Sequence, residues 1–159
     1  MAGLVLVTGG SGYIAGWCIA ELLRRGYEVR TTVRDPGREQ AVAGAVSSVA
    51  DPAGRLSFAV ADLTADDGWD AAVKGVDYVL HVASPLAGGT PGAMIAAARD
   101  GTLRVLRAAV AAGAKRVVMT SAANAASPSS YAAGSVGIIG RMVSGKMRVL
   151  ACDRQRQES

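Results

Sequence analysis

The chain has 159 residues, half of them apolar and only 4% aromatic, with 20 glycines and a formal net charge of +4. Such a composition describes one globular domain or most of one, and excludes a disordered or collagen-like chain. No run of 18 apolar residues is present to span a membrane.

The two cysteines, Cys18 and Cys152, make neither a disulfide framework nor a metal spacing, and the single histidine, His81, excludes a multi-histidine metal site. No metal is expected, and a reducing cytoplasm is the expected compartment. The charge is uneven. Residues 1–135 carry 12 basic and 11 acidic side chains, whereas residues 136–159 set Arg141, Lys146, Arg148, Arg154 and Arg156 against Asp153 and Glu158. This basic tail lacks aromatic residues on which bases could stack, so neither nucleic acid nor membrane is an expected partner.

In chain order, Leu4–Val7 is a continuous apolar run that suits a strand buried on both faces. The start lacks the basic region of a signal peptide and leads directly into Thr8-Gly9-Gly10. Ile14, Cys18, Ile19, Leu22 and Leu23 recur at helical spacing, with Gly26 as the stop. Tyr27–Val33 reads as a second strand, closed by the turn Arg34-Asp35-Pro36-Gly37. Residues 38–50 read as a helix, Leu56–Ala61 as a third strand, Asp66–Val73 as a short helix and Asp77–Val82 as a fourth strand.

A loop at Gly88–Gly92 then precedes a long helix over Ala93–Ala112 that is expected to turn Leu103, Leu106 and Val110 inward, and Arg116–Thr120 is a fifth strand. Five alternations of strand and helix, joined by right-handed crossovers, predict an α/β fold with a doubly wound parallel sheet of the Rossmann type. From Ser121 onward the pattern decays. The expectation is a dinucleotide-binding domain over residues 1–135, truncated after about five strands, followed by an irregular tail over 136–159 with no substrate domain.

Gly9, Gly12 and Ala15 are spaced by three at the junction of the first strand and first helix. A glycine turn there lets backbone approach a pyrophosphate, and the amides and positive dipole end of the helix stabilise its charge. No Gly-Lys-Ser/Thr follows, so this is not a Walker loop. At the end of the second strand, Arg34 can pair bidentately with a 2′-phosphate, which favours NADP; Asp35 could instead hold the ribose hydroxyls of NAD.

Together these segments resemble the extended short-chain dehydrogenase/reductases, the NAD-dependent epimerase/dehydratase family, in its dihydroflavonol-reductase-like and cinnamoyl-CoA-reductase-like group. Thr8–Ala15 fits that group's TGxxGxxA loop, and Thr31–Pro36 is similar to its NADP-selecting turn. Ala61-Asp62-Leu63 matches its adenine-holding position, and His81-Val82-Ala83-Ser84-Pro85 its segment along the nicotinamide ribose. Gly101–Leu106 and Lys115–Ser121 match the following helix and strand. The resemblance covers residues 1 to about 135. It implies Gly9, Gly12, Tyr13 and Ile14 at the pyrophosphate, Arg34 at the 2′-phosphate, Asp62 and Leu63 at the adenine, and Ala83, Ser84 and Pro85 near the ribose of NADP(H). It also implies reduction of a small carbonyl substrate by hydride transfer, with a Tyr as proton donor, a Lys lowering its pKa and a Ser on the carbonyl.

The chain departs from the group at that catalytic element. Tyr13, Tyr27, Tyr78 and Tyr131 are followed four residues later by Trp17, Thr31, Val82 and Ser135, so no YxxxK is present. Ser121, in Thr120-Ser121-Ala122, is the candidate catalytic serine. His81, Cys18 and Ser84 read as structural or lining residues, and Asp66, Asp67 and Asp70 as charges at a helix start. Three expectations follow: an NADP-dependent oxidoreductase by descent, a nucleotide-binding module without turnover, or a truncated or frameshifted fragment that dimerises through an uncovered sheet edge.

Overall fold

A computed structural model describes residues 2–85 and 90–121. The expected irregular tail over 136–159 lies outside the described residues, as do Tyr131, Gly88 and Gly89. The chain divides into two units, Met1–Met119 and Thr120–Ser159. Within the first, β1 (Leu4–Val7), β2 (Glu28–Val33), β3 (Leu56–Val60), β4 (Tyr78–His81) and β5 (Arg116–Met119) pair in the order β3-β2-β1-β4-β5. All four pairings are parallel, with Val5 opposite Val29 on one side and Tyr78 on the other. The helices between them are α1 (Tyr13–Arg24), α2 (Glu39–Ser47), α3 (Trp69–Val73) and α4 (Pro91–Ala111), with a 3-10 turn at Pro36–Arg38. The doubly wound Rossmann-like sheet read from the sequence is therefore the fold.

Alternation along the strands divides the core into two layers. Val5, Val7, Val29 and Val33 pack with Ala15, Ile19 and Leu23 of α1 and Val42 and Val46 of α2. On the opposite face Arg30 reaches α3, where its Nη1 donates to the carbonyls of Ala72 at 3.0 Å and Lys74 at 2.7 Å. A cation at a helix C-terminus satisfies end carbonyls and complements the dipole. α3 packs in turn on α4. Both long helices end in paired turn hydrogen bonds of the Schellman type: Gly26 and Tyr27 donate to Leu23 and Leu22, and Gly113 and Ala114 donate to Val110 and Ala109.

Three local expectations are corrected. α4 turns Gly101, Val105 and Ala109 inward, while Val110 is 54% exposed and Leu103 and Leu106 are half-buried. The i, i+4 stripe of small residues wins because α4 lies close to the Leu63 backbone: a Cβ on Gly101 would stand 2.9 Å from Leu63 Cβ. α4 also starts two residues early, because Thr90 caps it and Pro91 suits a first helical turn. Finally, Asp66 lies ahead of α3 and pairs with Arg104 rather than with a helix end. Among the described residues no helix is long and apolar enough to cross a membrane.

Candidate functional site

β1 and β4 are neighbours in the sheet although β2 and β3 lie between them in the chain, and the connection from β1 runs to β2 on one side whereas that from β4 runs to β5 on the other. In open α/β sheets a crevice forms at that switch point, beyond the C-terminal strand ends. A cleft of about 730 Å³ opens there. It is lined by the turn after β1, the first turn of α1, and the segments that follow β2, β3 and β4.

Hydrogen bonds from threonine side chains fix the turn. The Gly9 amide donates to Thr32 Oγ1 at 2.9 Å and the Gly10 amide to the Thr32 carbonyl at 2.9 Å. Thr31 Oγ1 donates to the Val7 carbonyl at 2.8 Å, and the Gly12 amide closes back onto the Gly9 carbonyl. Gly9 has φ +75°, and a Cβ there would stand 2.9 Å from the Ala83 Cβ. A Cβ on Gly10 would collide with the Thr31 side chain. With these amides engaged, α1 begins at Tyr13 with Gly12 as its N-cap. The amides of its first turn have no intrahelical acceptor and the positive end of its dipole lies at the cleft.

Thr8, buried completely, links β1 to β4. Its Oγ1 accepts from the amides of Val82 and Ala83, each at 3.0 Å, and lies 2.9 Å from His81 Nδ1. A hydroxyl has two lone pairs and one proton. The amides take the lone pairs, so the proton goes to Nδ1 and the imidazole carries its own proton on Nε2, 3.4 Å from Thr102 Oγ1. Burial pushes the His81 pKa down to about 4, so the ring is neutral.

The far end of the cleft is shaped by Asp62. Its Oδ1 accepts from the Thr64 amide and hydroxyl, both at 2.8 Å. Those two bonds hold the carboxyl below the usual carboxylate range, with the charges of Arg34 and Arg104 adding to them. Trp69 Nε1 donates to the Asp62 carbonyl at 3.0 Å, and Arg104 Nη1 to the Leu63 carbonyl at 2.7 Å, which ties the loop to α3 and α4. Arg34 is exposed at the cleft margin, where its guanidinium makes no hydrogen bond or ion pair among the described residues. Asp35 faces elsewhere: its Oδ1 accepts from the Gly37 amide at 2.9 Å and caps the 3-10 turn.

Gly9, Gly12, Tyr13, Ile14, Arg34, Asp62, Leu63, Ala83, Ser84 and Pro85, singled out in the sequence, all line this cleft. Ile14 is 57% exposed, because the first turn of α1 faces the cleft rather than the sheet. Ser121 is exposed and follows β5 in the unit Thr120–Ser159. Thr8, Thr31 and Thr32 were not singled out. The sequence carries no signal for them, since β-branched residues suit any strand and their hydroxyls find partners only once β2 and β4 flank β1.

The profile of the NAD dependent epimerase/dehydratase family matches residues 5–136. The chain belongs to this family. Its relatives include tetraketide alpha-pyrone reductase 1 of Arabidopsis thaliana, 40% identical over 126 residues, which is 77% of this chain and 38% of the relative. Dihydroflavonol 4-reductase of Dianthus caryophyllus is 39% identical over 120 residues, 74% of this chain and 33% of the relative. Cinnamoyl-CoA reductase 1 of Oryza sativa subsp. japonica is 41% identical over 118 residues, 74% and 34% of the two chains.

Among solved structures, vestitone reductase of Medicago sativa superposes with a TM-score of 0.63 at 33% identity, covering 79% of this chain and 38% of that one. Gre2 of Candida albicans, solved in complex with NADPH, gives 0.68 at 28% identity, covering 78% and 38%. The chain thus spans about a third of the length of the epimerase/dehydratase-family reductases it matches.

Proposed function

We propose that residues 1–135 are the dinucleotide-binding domain of an NADP(H)-dependent carbonyl reductase. The cleft fits a dinucleotide. A Cβ on Gly9 would press on Ala83 and one on Gly10 would collide with Thr31, so only glycine keeps the turn this tight, and the first amides of α1 supply donors for a diphosphate. In this reading Tyr13 and Ile14 hold the pyrophosphate through their backbone amides, and Gly9 and Gly12, whose own amides are engaged within the turn, let the diphosphate approach the backbone. Arg34 holds the 2′-phosphate, Asp62 and Leu63 flank the adenine, and Ala83, Ser84 and Pro85 border the nicotinamide ribose. Ser121 hydrogen-bonds the carbonyl of the substrate. The bound coenzyme supplies the hydride.

The observation that carries the choice of NADP(H) is the contrast between Arg34 and Asp35. The guanidinium lies at the cleft margin without a direct hydrogen bond or salt bridge among the described residues, while the carboxylate that would suit unphosphorylated ribose is engaged with the Gly37 amide. Calorimetric titration of the chain with NADPH and NADH tests this. NADPH is expected to bind at least tenfold more tightly; equal affinities, or no heat with either, overturn the proposal.

A second reading, binding without turnover, is favoured by the lack of any Tyr followed four residues later by Lys in these 159 residues. Without a lysine four residues after a tyrosine, these residues by themselves offer no Tyr–Lys pair to deliver a proton to the alkoxide. Assaying reduction of aldehydes and ketones on the same NADPH-saturated sample separates the readings: turnover supports the reductase, and saturation without turnover the binding module.

A further inference from the structure

His81 ends β4 and is buried; it does not line the cleft, although the four residues after it, Val82 to Pro85, all do. Its ring lies between two threonines. Nδ1 is 2.9 Å from Thr8 Oγ1 and Nε2 is 3.4 Å from Thr102 Oγ1 on α4. Thr8 fastens the end of β1 to the end of β4. Its amide donates to the Leu80 carbonyl at 3.0 Å, and its hydroxyl oxygen accepts the amides of Val82 and Ala83, each at 3.0 Å. Two consecutive amides converging on one oxygen fix the path of the chain as it leaves β4. The residue after Thr8 is Gly9, and a Cβ there would stand 2.9 Å from the Ala83 Cβ and 3.2 Å from the Ala83 Cα. The glycine turn and the Ala83 segment therefore face each other in close contact, and one buried hydroxyl sets their separation.

We propose that His81 is a positioning residue for the nicotinamide end of the coenzyme: by accepting the Thr8 hydroxyl proton on Nδ1 it leaves both lone pairs of that oxygen to the Val82 and Ala83 amides, and so holds Ala83, Ser84 and Pro85 against the Gly9 turn. This rests on the NADP(H) reading above. A hydroxyl whose lone pairs are taken by two amides has one direction left for its proton, and only a ring nitrogen without a hydrogen accepts it there. An imidazole with its hydrogen on Nδ1 would set proton against proton, and the hydroxyl would turn and give up one amide. Thr102 holds the ring's own hydrogen on Nε2, because the partner of one ring nitrogen decides the state of the other. Thr102 follows Gly101, which lies close against Leu63. α4 thereby orients the ring, the ring orients the hydroxyl, and the hydroxyl places the segment that borders the ribose. None of these three side chains lines the cleft.

The test uses the full chain with His81→Leu, which offers the hydroxyl no acceptor, and His81→Asn, whose carboxamide oxygen reaches the place of Nδ1. Each is titrated with NADP+ and with 2′,5′-ADP, which has the adenosine phosphates and no nicotinamide, at a temperature where its melting curve shows it folded. His81→Leu is expected to weaken NADP+ about tenfold, the worth of one lost hydrogen bond, and to leave 2′,5′-ADP within about twofold. His81→Asn is expected to restore NADP+ to within about threefold of the parent. Unaltered NADP+ binding in His81→Leu overturns the assignment. So does equal weakening of the two ligands, the mark of a general loosening of the fold, and so does an asparagine variant no better than the leucine one. A parent chain that binds 2′,5′-ADP but gives any of these results loses only this assignment; a parent that binds neither ligand loses the NADP(H) reading as well. Should His81→Leu not fold, His81→Gln carries the comparison with His81→Asn, because its longer carboxamide reaches the place of Nε2 and leaves Nδ1 unreplaced.

Discussion

Thr8 gives the sharpest test of how the cleft is built. In Thr8→Val the shape of the buried side chain is kept and only the hydroxyl is lost. The amides of Val82 and Ala83 lose the acceptor they share at 3.0 Å, and His81 Nδ1 loses its donor at 2.9 Å. A buried polar group left without a partner costs about 1–3 kcal/mol. The two amides belong to half-buried residues and rank at the low end, whereas His81 is 2% exposed and ranks higher. The expected loss is about 3 kcal/mol.

Thr8→Ser keeps all three hydrogen bonds and removes one methyl, worth about 1 kcal/mol. Urea denaturation of the two variants beside the parent chain gives both values, provided the slopes agree. Because His81 is the only histidine, its ring nitrogens are unambiguous in a heteronuclear NMR spectrum. The parent is expected to show the Nε2–H tautomer. A valine variant no less stable than the serine variant, or a parent ring protonated on Nδ1, would refute the argument that the hydroxyl proton points at the imidazole.

The same ring sets a pH dependence. Its folded pKa lies near 4, below the ordinary value of 6.5, so the unfolded chain binds a proton first. Stability is complete above about pH 6.5 and falls as pH drops towards 4, by at most about 3 kcal/mol; stability that does not change across that window counts against a neutral buried ring. Gly9→Ala forces φ +75° on a residue with a side chain and drives its Cβ onto Ala83. It should cost about 1–2 kcal/mol in strain alone and more than tenfold in NADPH affinity, read by denaturation and calorimetry. Gly68→Ala, whose Cβ would overlap the Val60 carbonyl at φ +84°, is expected to destabilise the chain at least as much while acting on coenzyme affinity only through the Asp62 loop. Asp35→Ala removes the cap on the 3-10 turn, worth about 1 kcal/mol, and should reduce discrimination between NADPH and NADH without abolishing binding of either.

The strands and helices were legible because each carries a local signal. Leu4–Val7 is unbroken apolar sequence, Gly26 and Gly113 stop helices, and the spacing of Gly9, Gly12 and Ala15 marks a strand-to-helix turn. Two kinds of detail were not legible. The inward stripe of α4 depends on how closely that helix approaches Leu63, a tertiary distance that favours Gly101, Val105 and Ala109 over the larger Leu103, Leu106 and Val110. The roles of Thr8, Thr31 and Thr32 depend on which strand ends become neighbours. β-Branched residues are expected in any strand, so their hydroxyls carry no signal until β2 and β4 are placed on either side of β1.

That placement also confines the bonds that shape the cleft to one unit of the chain. The bonds that shape the cleft run from the end of β1 outward: to Thr31 and Thr32 on β2, to Val82 and Ala83 after β4, and across the Asp62 loop to Arg104 on α4. All of these residues belong to the unit Met1–Met119. The turn and the positive end of α1 are thus positioned by groups whose partners lie in the same unit. Proton donation requires a different arrangement, a tyrosine beside a lysine, which these residues do not contain. In the proposed reading the chain is expected to select a coenzyme with the affinity set by Gly9 and Arg34 whether or not a carbonyl is reduced, so the binding titrations and the turnover assay report on two independent properties.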